Sequence, residues 1–138
     1  MVTREEAERR QLYDARHALA THEATRVVEA EAVGTDYGNA GFTTRAQADL
    51  LADLLELKPT DRLLDVGSGA GWPGLYLAGR SGCSVVVSDI SDTGMVQARR
   101  RAAADGMSDR ARAVVATARQ LPFRPEQFDA IVHTDVLC

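Results

Sequence analysis

Three glycines at alternate positions, Gly67, Gly69 and Gly71, follow a short apolar run that contains one acid, Asp65. A second acid, Asp89, closes the next apolar run 22 residues beyond Gly67. Glycine permits positive φ and lets a ligand rest against bare backbone. A carboxylate only accepts hydrogen bonds, and it can take two from a vicinal diol such as that of ribose. A glycine turn at the end of one parallel strand, with an acid ending the next, is how open α/β sheets hold a nucleoside.

Two ligand classes use this arrangement. Gly69, Gly71 and Gly74 spell the G-x-G-x-x-G pattern of dinucleotide-binding domains. Asp65 points elsewhere, because a buried carboxylate repels a pyrophosphate and attracts an ammonium group. Trp72 and Pro73 also stand where a close helix–phosphate approach is wanted. A third reading, a degenerate fold kept as an interaction module, needs no ligand at all.

The elements that must position these residues follow from periodicity. Residues 3–32 read as helical, opened by a Thr3–Glu6 capping box, with Leu12, Ala15, Leu19, Val27 and Val28 on one apolar face and a break near Thr21 and His22. Gly34 stops that stretch, and 34–41 is a loop. A second helical segment spans 45–56, capped by Thr44 and Gln47, with Leu50, Leu51, Leu54 and Leu55 as its stripe. Strands are predicted at 63–66, 84–88, 113–116 and 128–132. Helices are predicted at 73–78, with Pro73 at the first position and Gly79 as the stop, and from Ser91 or Asp92 to 105, with Gly106 as a left-handed stop. Strands alternating with helices imply a parallel sheet with right-handed crossovers, and the continuous apolar strands imply cover on both faces.

Composition narrows the partners. With 138 residues there is room for one domain, and the 45% of hydrophobic residues can build a core. Aromatics at 5% are too few for a base-stacking platform, and a net charge of −4 disfavours a phosphate-backbone binder. The Arg99–Arg101 run reads as a solvated helix face. Cys83 and Cys138 form no CxxC pair, and no His/Cys cluster has metal-ligand spacing. There is no apolar run long enough for a bilayer and no signal-peptide core. The balance suits a cytoplasmic protein acting on small molecules.

Residues 65–71, Asp-Val-Gly-Ser-Gly-Ala-Gly, resemble the D-x-G-x-G-x-G motif of class I S-adenosylmethionine-dependent methyltransferases. Residues 57–65 are similar to that family's lead-in to its first strand, 87–91 to its second motif, 116–123 to its third and 128–132 to its fourth strand. The start of the helix after the glycines, residues 71–77, resembles a bacterial small-molecule subgroup. The resemblance covers roughly residues 45–138. It implies an α/β, Rossmann-like fold with an incomplete parallel sheet of four strands flanked by helices. Residues 1–44 would then be an N-terminal helical cap and loop, and 45–138 the S-adenosyl-L-methionine-binding domain.

The resemblance also implies roles. Asp65 would hold the methionine ammonium, with the backbone of Gly67, Ser68, Gly69 and Gly71 as the cradle. Asp89 would take both ribose hydroxyls and Ile90 the adenine face. Ala118 and Arg119 would present backbone to the adenine edge. The family usually has an acid where this chain has Thr117, whose hydroxyl still accepts a hydrogen bond. His133 and Asp135, after the fourth strand, become candidates for a cofactor contact or a base. Tyr37, Phe42 and Thr43 fall where relatives lid the cofactor. His17 and His22 read as solvated helix residues. The family's sheet has seven strands in the order 3-2-1-4-5-7-6, so four strands suggest a truncated fold. The bare outer edge of the fourth strand would invite self-association.

Overall fold

The computed structural model describes residues 3–38 and 41–136. Helix α1 (Arg4–Ala20) opens on the expected capping box, with Thr3 Oγ1 accepting the Glu6 N–H and the Glu6 side chain returning to Thr3. Helix α2 (Glu23–Val33) follows the break at Thr21 and stops at Gly34, whose φ of 77° is left-handed. Thr44 and Gln47 cap α3 (Arg45–Leu55) in the same way.

The apolar face expected of α1 and α2 turns outward instead. Leu12, Leu19, Val27 and Val28 are all exposed, and the inward face is polar or small: His17 and Ala20 from α1, Glu29 from α2. Glu29 folds the next loop, accepting from Thr35 Oγ1 at 2.8 Å and Gly38 N–H at 2.8 Å. The α3 stripe splits. Leu51 and Leu55 pack against the core, whereas Leu50 and Leu54 face solvent.

Four parallel strands form one sheet in the order β3-β2-β1-β4: β1 is Arg62–Val66, β2 Ser84–Asp89, β3 Ala111–Val115 and β4 Ala130–His133. Strand β3 begins two residues earlier than predicted. β4 begins two residues later, because Phe128 turns to meet Phe123 edge-on and Asp129 Oδ2 accepts the Arg62 N–H. Helix α4 (Gly74–Ser81) lies on β1 and β2, and α5 (Asp92–Ala104) on β2 and β3. Pro73 is the N-cap of α4 rather than its first residue. The helix runs through Gly79 to end at Gly82, φ 79°. Ser91 caps α5, its Oγ accepting the Gly94 N–H, and Gly106 is the left-handed residue beyond its end. Leu63, Val85 and Val87 from the sheet, Leu75, Leu77 and Ala78 from α4, and Met95 and Ala98 from α5 make the core. Each fully buried Leu, Val or Met contributes about 1.5–3 kcal/mol over exposure. That cluster holds the strand ends that carry Asp65 and Asp89.

Candidate functional site

The bend between β1 and α4 uses its own donors. Gly67 and Ser68 N–H both bond Ser88 O, at 2.7 and 3.0 Å, and Gly71 and Trp72 N–H both bond Ser68 O, at 2.9 and 3.1 Å. Gly69 N–H goes to Asp89 Oδ2 at 2.9 Å and Gly74 N–H to Asp65 Oδ2 at 2.7 Å. A pyrophosphate needs such amides free. Five of the bend's backbone amides are thus engaged within the chain, and the two acids stand beside them.

Two glycines are fixed by close approach. Gly67 has φ 73°, and a Cβ there would fall 2.4 Å from Val136 Cγ2. At Gly74 a Cβ would stand 2.7 Å from both Cβ and Oδ2 of Asp65. The third glycine of the dinucleotide pattern is therefore required by a carboxylate beneath it.

Asp65 is fully buried, and its Oδ1 has no partner. Burial pushes its carboxyl up to about 8, with the negative charge of Asp89 adding to the shift and the Gly74 hydrogen bond opposing it. Ser68, also buried, likewise leaves its Oγ without a partner. Half-buried Asp89 accepts Gly69 N–H through Oδ2 and Ser91 N–H through Oδ1, both at 2.9 Å. An ionised carboxylate has about four lone-pair sites. Two are taken by backbone, and one on each oxygen remains.

Asp89 borders two cavities. The larger, about 300 Å³, brings together Gly67, Asp89, Ile90, Thr117, Ala118 and Arg119, as the sequence implied. Thr117 Oγ1 accepts the Arg119 N–H at 3.3 Å, which shapes the turn after β3. The smaller cavity, about 130 Å³, lies between Gly69, Asp89, Trp72 and Phe42. Gly71 stands behind the bend against Leu75. His133 ends β4, opposite Val66, is exposed, and lines neither cavity. Asp135 borders both, but its Oδ2 accepts Phe42 N–H at 2.8 Å, Thr43 N–H at 3.1 Å and Thr43 Oγ1 at 3.0 Å. It ties the segment at 42–43 to the end of β4.

Trp72 completes that wall. Its Nε1–H donates to Thr43 O at 2.9 Å, and its ring packs between Tyr37 and Tyr76 at 5.0 and 5.2 Å. Arg101 sits 4.1 Å over the Tyr37 ring. Burial pushes the Tyr37 phenol up to about 12.

Helix α1 enters both cavities, through Arg9 and Tyr13 in the larger and Tyr13, Arg16 and His17 in the smaller. Asp14 docks it on the start of α5, accepting from Ser91 Oγ at 2.6 Å and Thr93 N–H at 3.0 Å. Burial opposes ionisation there, yet the Ser91 and Thr93 bonds outweigh it and hold the carboxyl below its usual range. His17 is 2% exposed rather than solvated. His22 is exposed as expected. The clue to His17 was its place with Asp14 and Ala20 on one helical face. Among the described residues no group of three or more His, Cys, Asp or Glu could hold a metal ion, and no helix is long and apolar enough to cross a membrane.

Residues 63–138 match the family of methyltransferase domains, and the chain belongs to that family. Over 95 residues, 69% of this chain, it is 35% identical to 24-methylenesterol C-methyltransferase 2 of Oryza sativa subsp. japonica, covering 26% of that protein. It is similar to a SAM-dependent methyltransferase from Thiobacillus denitrificans in complex with S-adenosyl-L-homocysteine, with TM-score 0.59 and 28% identity over 65% of this chain and 36% of that one. Geranyl diphosphate methyltransferase in complex with SAM is similar at TM-score 0.64 and 26% identity, over 85% of this chain and 46% of that one. The chain thus spans between about a quarter and a half of each of these proteins. The Rossmann-like architecture expected from the motifs is the one observed.

Proposed function

We propose that this chain binds S-adenosyl-L-methionine at the glycine bend and serves methyl transfer to a small-molecule acceptor. The observation that carries this is the pair of acceptor sites left on Asp89 where it faces a cavity large enough for a nucleoside. The buried, partnerless Asp65 Oδ1 and Ser68 Oγ fit a polar group that the chain itself does not provide. Asp65 and the carbonyls of the bend suit the methionyl ammonium. Ile90 packs on adenine, and the turn at Thr117, Ala118 and Arg119 meets its edge. Residues 1–44 act as a cap over the domain formed by 45–138.

When bound, the cofactor supplies a sulfonium-activated methyl group. The protein's contribution would be alignment: Asp89 would fix the nucleoside, with α1 and the Trp72–Thr43 wall beside it. Such positioning contributes up to ~7–11 kcal/mol. His133 is exposed outside both cavities and Asp135 is occupied by the 42–43 segment. The relatives' names point to a sterol and to geranyl diphosphate, and Phe42, 78% exposed at the rim, suits the hydrocarbon part of such an acceptor. Strand β4 pairs with β1 alone among the described strands, so self-association along its outer edge is part of the same proposal.

Isothermal titration of the full chain with S-adenosylhomocysteine and with NAD tests the cofactor. Binding of the first and not the second is expected. Binding of NAD alone would return the bend to the dinucleotide class, and binding of neither would leave an interaction module.

A further inference from the structure

His17 is the one imidazole enclosed by the site. It is 2% exposed and lines the smaller cavity beside Gly69 and Asp89, and its Nδ1 has no hydrogen-bond partner. Helix α1 is fixed around His17 by two contacts, and the ring itself packs closely on α5. Asp14, one turn before it, anchors α1 to Ser91 and Thr93. Gln97 Nε2 donates to the His17 carbonyl at 2.9 Å. Gly94, at the start of α5, leaves room for it: a Cβ there would lie 3.2 Å from His17 Cδ2 and 2.8 Å from Gly69 O. A buried polar atom without a partner costs free energy, and at 2% exposure the residue is shut off from bulk water.

We propose that His17 is a direct ligand of the nucleoside, with Nδ1 hydrogen-bonding a ribose hydroxyl that Asp89 also engages. This rests on the cofactor assignment above and deepens it. A hydroxyl is the partner that fits. It both donates and accepts, so it satisfies Nδ1 in either neutral tautomer, whereas a carboxylate satisfies only Nδ1–H. The carboxylate of Asp89 beside the ring also repels a second anion but welcomes a diol. Burial holds the imidazole below its usual titration range, against the opposing charge of Asp89, and keeps it neutral near pH 7. The ribose is thus gripped from two elements, β2 through Asp89 and α1 through His17. Helix α1 becomes part of the binding site as well as a cover.

The test is calorimetry on the full chain with S-adenosylhomocysteine, adenosine and 2′,3′-dideoxyadenosine. For His17→Phe, which keeps the volume and loses the nitrogen, S-adenosylhomocysteine and adenosine are expected to bind about fivefold to tenfold more weakly, the size of one hydrogen bond. Dideoxyadenosine should bind with unchanged affinity, so the preference for the diol shrinks by the same factor. His17→Asn, whose amide reaches close to the Nδ1 position, should keep most of that preference. It also stands in if the Phe variant does not fold: a preference in His17→Asn that is lost in His17→Leu carries the same meaning. Unchanged affinity of His17→Phe for S-adenosylhomocysteine overturns the proposal, as does an equal loss for hydroxylated and dideoxy ligands. Failure of the wild-type chain to bind S-adenosylhomocysteine overturns the cofactor assignment too, so the two failures are distinct.

Discussion

Replacing Asp65 with Asn should make the ligand-free protein more stable at neutral pH and less stable in acid. In the fold the carboxyl is pushed up to about 8 from an ordinary value of 3.8. At pH 7 an unfolded chain carries this group ionised, and folding must return its proton. At about 1.4 kcal/mol per pKa unit, the gap between 3.8 and pH 7 costs about 4 kcal/mol. The sign follows from the raised value: the stability is fully present below about pH 4 and is lost as pH rises through 8. Asn retains an oxygen for the Gly74 N–H, but its amide brings two N–H donors to the Oδ1 position where the protonated carboxyl brings one O–H, and the extra unpaired donor costs about 1–3 kcal/mol. The variant should therefore exceed the wild type by about 1–3 kcal/mol at pH 7 and fall short of it by a similar amount at pH 4. Urea denaturation across that range would show the two curves crossing. Parallel curves would refute the argument, because they would mean that Asp65 folds with its usual charge. The ligand gives a second view. A methionyl ammonium draws Asp65 into its ionised form, so binding S-adenosylhomocysteine at pH 7 should release a proton, visible as a buffer-dependent heat that Asp65→Asn lacks.

Asp89→Ala removes two charge-assisted bonds to the diol, each about 1.5–3 kcal/mol, and should weaken S-adenosylhomocysteine binding at least ~100-fold by calorimetry; affinity within threefold of wild type would contradict the ribose role. Gly74→Ala sets a methyl against Asp65 and should destabilise the fold by about 1–3 kcal/mol in denaturant titration. Gly79→Ala, in an exposed helix interior with only Met107 Sδ at 4.0 Å, should instead stabilise by about 0.5–1 kcal/mol. Concentrated protein should sediment faster than a monomer, and Ile131→Lys, which puts a charge at an exposed β4 position, should restore the monomer; a wild-type monomer at high concentration would dismiss edge pairing.

The β1–bend–β2 unit could be read from the chain because its determinants are local. Apolar β-branched runs, left-handed glycines and strand-end acids each act within a few residues, and the structure sets them together. The placement of Thr117–Arg119 beside Asp89 came from the family resemblance of residues 116–123 and not from a local turn signal. Helix α1 was not legible. Its apolar residues suggested a buried face, yet Leu12 and Leu19 face solvent while Asp14 and His17 point inward, because the partner surface is the polar start of α5. Periodicity finds which residues are oily and cannot tell what another element, some 80 positions away, will offer them. The end of α4 was misjudged for a related reason. Gly79 looks like a stop, but nothing forces it out of the helix, and Gly82 supplies the left-handed residue a few positions later. The role of Asp135 depended on Phe42 and Thr43, which no local pattern links to it.

That last link bears on how the molecule is made. The bonds from Phe42 and Thr43 to Asp135 join positions 93 and 92 residues apart. Contacts of such long range form late, since the entropy of closing a large loop must be overcome before they are rewarded. During synthesis the helices, the glycine bend and Asp89 emerge well before Asp135 does. A nascent chain would therefore hold the Asp89 carboxylate in place while the wall on the other side of the pocket still lay open.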